Sequence, residues 1–204
     1  MQSLYKLGSI LIFGLKLQGY FLWQVLLGGV IFGIFPAILS LYRIVYKCIE
    51  EKSITELDLR GELKKTCKSE FKKINLLGYL FLMGSLVLMV NLNISQYYIR
   101  NGWIHAMLLI IAILVSGTAL FSFPIFAKYE LSFKQYLLQS LLFFVLNIFE
   151  SIAILLGVTI CLFICLLFPI IGVCCSVPFV LFPYVWFSRL GVQKVEATLC
   201  SEEV

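Results

Sequence analysis

Five apolar runs in this sequence are each close to the length that a helix needs to cross a membrane. About 20 predominantly apolar residues cover roughly 30 Å of hydrocarbon as an α-helix. Hydrophobic residues make up 61% of the 204-residue chain and charged residues 13%, whereas a soluble domain is roughly 45–50% apolar. The sequence therefore predicts an all-α, polytopic helical membrane protein with a single membrane domain over residues 1–204. The predicted spans are residues 20–42, 74–94, 103–127, 151–168 and 170–188.

The N-terminal segment is predicted to remain attached to the chain. Residues 1–19 are apolar, but Lys6 and Lys16 lie among them, and no small-residue cleavage site precedes a polar mature sequence. A secretory signal peptide would carry such a site. We therefore expect residues 1–19 to form an interfacial helix before the first span.

Lysine and arginine are distributed unevenly between the two ends of the predicted spans. Cytoplasmic connections carry the excess of basic residues in membrane proteins. This bias predicts an N-terminus outside the membrane and a cytoplasmic tail over residues 191–204. Thirteen basic residues fall on one side and three on the other: nine in 43–73, two in 128–134 and two after the last span, against Lys6, Lys16 and Arg100.

Residues 131–168 form an apolar stretch that is too long for one crossing. As a single helix its 38 residues would extend about 57 Å. Asn147, Glu150 and Ser151 interrupt the stretch, and a carboxylate at mid-bilayer would cost at least a few kcal/mol. One interpretation places 131–146 in a helix along the inner face, with Glu150 in the first turn of the fourth span. The alternative is that 137–149 is a re-entrant element and Glu150 a buried functional acid.

The basic connection 43–73 is predicted to contain an amphipathic helix. Ser53 and Glu56 have the spacing of a capping box, and an apolar stripe with helical spacing follows them. Basic residues beside this stripe either bind anionic lipid and fix the topology or form a docking surface for a partner protein. The candidate docking residues are Arg60, Lys64 and Lys68.

Three Phe-Pro pairs precede basic residues, each near the inner end of a predicted span. Proline inside a helix removes one amide donor and frees the carbonyl one turn earlier. We therefore predict kinks at Pro36, Pro124 and Pro183. Three kinks at one depth are candidates for the lining of an inner cleft, although proline is common in transmembrane helices.

Gly29 and Gly33 have the GxxxG spacing within the first predicted span. Glycine lets two helix backbones approach closely, and such packing drives helix association in lipid. We therefore predict helix packing at this pair, with a neighbour either in the same chain or in another protein.

The sequence carries no recognisable set of catalytic or metal-binding residues. It lacks a phosphate-binding glycine loop, an HExxH motif, a GxSxG motif and a CxxC pair, and its one histidine, His105, is distant from most of the cysteines. We therefore expect no cofactor, no bound metal and no enzymatic activity. His105 near the outer end of the third span either titrates or binds a ligand, or is simply hydrogen-bonded.

Two segments resemble the YesL-like family of bacterial membrane proteins. The segments are "GIFPAILSLY" (33–42) and "SEFKKINLLGY" (69–79), within a similarity that extends over about residues 18–190. Ser40 stands where the family often has alanine. The resemblance implies an uncharacterised membrane protein of the bacterial cytoplasmic membrane associated with carbohydrate uptake, and it supplies no catalytic residues.

Two functions follow as hypotheses. The first is an accessory or interaction protein whose partners are the lipid bilayer and, through the resemblance, components of sugar transporters of the ATP-binding-cassette type. The alternative is a small-solute transporter or channel that uses the inner cleft. No nucleic-acid partner is expected.

Overall fold

A computed structural model describes residues 2–51, 61, 70–99 and 101–202 of the protein. All the regular structure in the described segments is helical. The principal helices are α1 (Gln2–Leu27), α2 (Ile34–Glu51), α3 (Phe71–Ile94), α4 (Gly102–Lys128), α5 (Phe133–Leu146), α6 (Ile148–Leu167) and α7 (Pro169–Glu202), with a short π-helix (Ser95–Ile99) between α3 and α4.

Four of these helices are long and apolar enough to cross a membrane. They occupy Phe71–Tyr98, Gly102–Lys128, Ile148–Leu167 and Pro169–Ala197, and two shorter apolar helices cover Ile12–Leu27 and Phe133–Leu146. This composition confirms the predicted fold class of a polytopic helical membrane protein. Helix α7 extends through the predicted tail, because it continues to Glu202.

Ion pairs bring the basic segments to the same end of the bundle, which we call the basic end. Arg43 in α2 binds Glu70 before α3, Lys128 in α4 binds Glu196 in α7, and Glu50 in α2 faces Arg189 in α7. This arrangement agrees with the charge count, which places residues 43–73, 128–134 and the C-terminal segment on one side.

The packed core lies in the half of the bundle next to the basic end. Buried residues of α3 begin at Ile74 and end at Gly78, those of α4 lie between Gly117 and Phe126, and those of α6 are Ser151 and Ile154. The halves of these helices that are distant from the basic end expose large apolar side chains. A bilayer covers such surfaces at no cost in free energy, since lipid tails are as apolar as the side chains.

The first predicted span is not one continuous helix. Helix α1 ends at Leu27 and α2 begins at Ile34, and the turn between them, residues 28–33, is called the helix break below. Gly29 has φ +75° and Val30 has φ +59°, a left-handed backbone that ends a helix and that glycine adopts without a Cβ clash. The prediction of an unbroken helix over 20–42 is therefore wrong.

The glycines of the helix break do not join two helices as GxxxG packing requires. A Cβ at Gly29 would meet nothing within 4 Å, whereas one at Gly33 would lie 2.5 Å from the carbonyl oxygen of Val25, near the end of α1. The predicted helix-packing role is therefore wrong for Gly29, which allows the chain to turn. Gly33 lets the start of α2 approach the end of α1, its neighbour in the same chain.

The helix break lies at the level of the ninth residue of α3. Tyr79 donates a hydrogen bond of 2.8 Å to the carbonyl oxygen of Ile31, and its ring contacts Phe32 and Phe35 edge-on. Eight residues of helix rise about 12 Å. If α3 crosses the membrane, the break lies within the apolar layer, where free backbone groups need partners inside the protein.

The three prolines do not surround an open cleft in the described part of the chain. Pro36 is buried in the first turn of α2, where its missing amide leaves no helix bond unmade, and Pro124 is buried inside a continuous α4. Pro183 lies against Gly157 of α6. Helix α7 bends at Cys175 (φ −143°, ψ 17°) instead of at Pro183, because Pro178 cannot donate a bond to the preceding turn. The predicted cleft is therefore replaced by a packed interior.

The long apolar stretch breaks where the sequence predicts. Helix α5 ends at Leu146, and Asn147 (φ −120°, ψ 49°) separates it from α6. Helix α5 runs back along α4, because Tyr136 stacks on Phe126 at 4.8 Å and the ring of Phe144 lies over Gly117. The other end of α5 is held at α7, where Asn147 lies against Gly191 and Glu150 pairs with Lys194. The choice between an inner-face helix and a re-entrant element at 137–149 stays a prediction.

The predicted docking residues Arg60, Lys64 and Lys68 lie outside the described residues, as does the predicted capping box at Ser53 and Glu56.

Substitution of Gly29 by alanine is expected to destabilise the protein by about 1–2 kcal/mol, because a Cβ strains a residue that has a positive φ. Thermal unfolding in detergent measures the loss. Gly84→Ala is the matched control, since a Cβ at Gly84 in α3 would meet nothing within 4 Å and alanine is the better helix former. Equal unfolding temperatures for Gly29→Ala and the unmodified protein would contradict the positive φ.

Candidate functional site

A largely buried ion pair at the basic end joins Arg43 and Glu70. The guanidinium donates hydrogen bonds of 2.5 and 3.0 Å to the two carboxylate oxygens, and Nη2 lies 3.4 Å from the carbonyl oxygen of Phe126. Both side chains are largely buried, with 10% and 14% of their surface exposed. A two-pronged arginine–carboxylate contact fixes geometry as well as charge. This pair therefore joins α2, the start of α3 and the end of α4.

Among the residues that the structure describes, helix α7 binds its neighbours through three further ion pairs at the basic end. Together with Arg43–Glu70 they form what we call the ion-pair layer. Each carboxylate in the layer has its own cation on a different helix, so the layer clamps the helices together. The three pairs are Lys128–Glu196 at 2.6 Å, Lys194–Glu150 at 3.0 Å and Arg189–Glu50 at 3.9 Å.

Tyr129 adds a second donor to the Lys128–Glu196 pair. Its hydroxyl donates a hydrogen bond to the Glu196 carboxylate, and the Lys128 ammonium lies 5.9 Å from its ring. Burial, followed by the bond to Glu196, raises the pKa of the Tyr129 hydroxyl well above its usual range. Tyr129 therefore stays protonated and remains a hydrogen-bond donor at any physiological pH.

Uncharged hydrogen bonds join the same helices inside the core. Ser40 in α2 donates to Gln24 in α1 at 2.5 Å, and the hydroxyls of Tyr42 and Ser188 lie 2.9 Å apart between α2 and α7. Tyr184 donates to the carbonyl oxygen of Leu120 in α4 at 2.6 Å. Because an unpaired polar group in an apolar interior is costly, these bonds fix the relative positions of α1, α2, α4 and α7.

Glu150, a partly buried carboxylate, forms an ion pair with a lysine. It lies in the first turn of α6, as the sequence predicts, and its partner Lys194 is 59% exposed. The preceding Asn147 is buried against Gly191 of α7 and donates to the carbonyl oxygen of Phe143 at 2.9 Å. The arrangement anchors the junction of α5 and α6 to α7.

His105 lies one turn inside α4, where the sequence places it. Its amide donates to the carbonyl oxygen of Asn101 at 3.1 Å, and Asn101 caps the helix by accepting a bond from the amide of Trp103. Among the residues that the structure describes, no three histidine, cysteine or acidic side chains lie close enough to hold a metal ion.

Sequence reasoning missed the acidic and uncharged members of this site. The sequence offers one signal for the acidic members, which is their position near basic residues at helix ends. These members are Glu70, Glu50 and Glu196. Gln24 and Ser40 give no comparable signal.

Replacement of Arg43 by methionine is expected to destabilise the protein by about 3 kcal/mol, because it leaves the Glu70 carboxylate without its cation in a largely buried position. The double variant Arg43→Glu with Glu70→Arg should recover part of the loss. Unfolding in detergent measures both. Glu130→Gln, which removes an exposed charge at the same end, is the control. An Arg43→Met variant as stable as Glu130→Gln would contradict the clamp.

Comparison with known proteins gives similarity without an assigned activity. Residues 15–92 match a family described as "Protein of unknown function, DUF624"; the matched region includes the helix break, α2 and most of α3. The chain is 27% identical over 189 residues to "Uncharacterized protein YesV" of Bacillus subtilis (strain 168), which covers 89% of this chain and 87% of that protein. No solved structure matches the chain. The chain is thus similar to uncharacterised proteins, and its YesL-like assignment stays a prediction.

Proposed function

We propose that the protein is an accessory protein of a membrane transport system, which holds a partner at the membrane and does not itself move a solute. The observation that carries this proposal is the closed interior next to the basic end. A transporter needs a binding site near the middle of the membrane with a route to each side. The half of the bundle next to the basic end is packed and joined by ion pairs and hydrogen bonds. The described residues therefore leave no such route through it.

The side chains at the centre of this half are fully buried. Ala37, Leu39, Phe121, Ile125 and Val185 are 0% exposed. The ion-pair layer lies around them on the side of the basic end. Opening a route would require breaking several of these contacts together. The prolines that the sequence suggested as a cleft lining lie inside or against this packing.

The docking surface in this proposal is the part of the basic end at the start of α3. Lys72 and Lys73 are exposed at the start of α3, directly after the segment that contains Arg60, Lys64 and Lys68. The ion pair of Glu70 with Arg43 fixes the start of α3, which carries Lys72 and Lys73. A rigid base that presents exposed cations fits an acidic surface on a partner, since complementary charge speeds and orients association.

The resemblance to the YesL-like family supports a partner from a carbohydrate-uptake system, such as the permease or ATPase of a sugar transporter of the ATP-binding-cassette type. It also supports the bacterial cytoplasmic membrane as the location, with the basic end in the cytoplasm. We further propose that the protein has no catalytic activity, because the carboxylates of the ion-pair layer are each held by a separate cation.

A second candidate function, a small-solute transporter or channel, is favoured by the helix break. Discontinuous helices near the middle of the membrane hold substrates in many transporters. In this chain, however, the carbonyl oxygens of residues 24, 25 and 26 accept bonds from amides of the break, and that of Ile31 accepts from Tyr79. Those carbonyl groups are therefore already paired. The transporter or channel function thus ranks below the accessory role.

Reversal of the charge at Lys72 and Lys73 is expected to weaken partner capture several-fold, because two repulsive contacts replace two attractive ones. The full-length protein is purified from native membranes, and the captured transporter components are quantified by mass spectrometry. The matched control is Lys134→Glu, which reverses an exposed cation of the basic end on α5. Seven of the nine basic residues between 43 and 73 remain in the double variant, so insertion should be intact.

Two outcomes would count against the accessory role. Equal losses with Lys134→Glu and with the double variant would indicate a general attraction to anionic lipid. Recovery of no transporter component with the unmodified protein, combined with flux of a small solute into liposomes that contain the purified protein, would establish the transporter instead.

A further inference from the structure

We propose that the basic end carries a binding site for the zwitterionic headgroup of one phosphatidylethanolamine molecule, between α2 and α7. The site consists of Tyr46 and Glu50 on α2 with Trp186 and Arg189 on α7, and we call it the headgroup site. It does not depend on the proposed accessory function, which uses the start of α3.

Arg189 supplies the positive charge of the headgroup site. Its guanidinium lies over the ring of Tyr46, 5.7 Å from the ring centroid, and its side chain is only 22% exposed. The buried Nε has no hydrogen-bond partner among the residues that the structure describes. A donor that stays unpaired in a poorly solvated place costs free energy. The guanidinium therefore gains from a strong oxygen acceptor, and a phosphate is an acceptor whose geometry arginine matches.

Glu50 supplies the negative charge and is the least tightly held carboxylate of the ion-pair layer. Its Oε1 lies 3.9 Å from Nη2 of Arg189, which is beyond hydrogen-bond distance. The other three pairs of the layer are 2.5 to 3.0 Å apart. The side chain of Glu50 is 48% exposed. A cation and a carboxylate therefore stand side by side without a hydrogen bond between them.

The headgroup site lies at the level of the membrane surface. Arg189 follows Pro169, the first residue of α7, by 20 residues, about 30 Å of helix, which is the thickness of the hydrocarbon layer. The turn between α6 and α7 exposes the apolar residues Phe168 and Ile170, so it belongs in the hydrocarbon or at its far edge. Arg189 is then at the opposite edge of the hydrocarbon, on the side of the basic end.

Two aromatic rings lead from Arg189 into the hydrocarbon along α7. Trp186 precedes Arg189 by three residues, so it lies on the same side of the helix and about 4.5 Å deeper. It is 43% exposed, and its ring stacks at 6.2 Å on that of Phe182, which is 53% exposed. Tryptophan settles at the boundary between headgroups and hydrocarbon. An acyl chain can therefore lie along these two rings while its headgroup stays at Arg189.

A phosphoethanolamine headgroup matches both charges of the site. Its phosphate would accept hydrogen bonds from Arg189, and its ammonium would donate to the Glu50 carboxylate, as an ammonium with three N–H donors can. The choline group of phosphatidylcholine has no N–H, and the glycerol group of phosphatidylglycerol has no positive charge. Soluble phosphoethanolamine lacks the acyl chains that would cover Trp186 and Phe182, so we assign the site to a lipid.

Quenching of Trp186 fluorescence by brominated lipids tests the proposal. The chain has three tryptophans, so Trp23→Phe and Trp103→Phe leave Trp186 as the single reporter. The full chain is reconstituted in phosphatidylcholine vesicles that contain brominated phosphatidylethanolamine, phosphatidylcholine or phosphatidylglycerol at equal mole fractions. We expect an apparent affinity for phosphatidylethanolamine about fivefold higher than for either other lipid, the effect of one exposed ion pair.

Variants separate the two charges of the headgroup site. Glu50→Gln should abolish the preference for phosphatidylethanolamine, because the ammonium loses its carboxylate. The matched control is Glu130→Gln, which removes another exposed carboxylate at the basic end and should keep the preference. Arg189→Gln should lower the affinity for all three lipids, and Arg189→Lys should keep their order. Thermal unfolding in detergent checks that each variant is folded, and Glu50→Gln decides the matter where Arg189→Gln does not fold.

Either of two results would overturn the proposal. Equal quenching by the three lipids, or an unchanged preference in Glu50→Gln, would show that Trp186 senses only the surrounding bulk lipid. Loss of the preference on addition of millimolar soluble phosphoethanolamine would show that the site takes a soluble phosphate compound and not a lipid headgroup.

Discussion

The ion pair between Arg43 and Glu70 is the contact on which the rest of the basic end depends. It is largely buried, and it joins three segments that are far apart in sequence, because Arg43 also approaches the carbonyl oxygen of Phe126. Removing either partner would leave a charge in a poorly solvated place. With α2, α3 and α4 held at this point, the remaining ion pairs connect α7 to α2, α4 and α6. The half of the bundle next to the basic end is thereby a clamped and closed unit, whereas the opposite half consists of hairpins that a bilayer covers.

The helix break fits this division of the molecule. A turn inside the apolar layer is tolerated only where its backbone groups find partners, and the bond from Tyr79 to Ile31 supplies one of them. The break allows α1 to cross α7 beside Cys175 while α2 continues along α7 towards the basic end, through Tyr42 with Ser188 and Tyr46 with Arg189. Side chains from both parts of the broken segment are then bound to the same helix.

Much of the fold could be predicted from the sequence, because length and apolarity decide which segments enter a membrane. The predictions for α3, α4 and α6 overlap the observed helices closely, the sequence predicts the break at Asn147, and α7 continues well beyond its predicted end at 188. The capping box of Ser132 and Gln135 in α5 is a further signal that the sequence contains. The prediction of the first span as one helix is wrong for a physical reason. The Gly29–Gly33 spacing suits both helix packing and a turn, and only the positive φ of Gly29 and Val30 distinguishes the turn from the helix. The ion-pair layer could not be predicted, since partners such as Lys128 and Glu196 are 68 residues apart.

The central claim, a closed interior next to the basic end, is tested most directly by the accessibility of single cysteines to a water-soluble thiol reagent. In a background without the native cysteines, Ala37→Cys and Ser122→Cys replace residues that are 0% exposed and lie beside Pro36 and Pro124. Gln193→Cys replaces an exposed residue of α7 at the basic end. We expect rapid labelling at position 193 and none at 37 or 122 in the folded protein when the reagent reaches the basic end. Labelling of all three cysteines at similar rates would contradict a closed interior and would support the predicted cleft between the prolines.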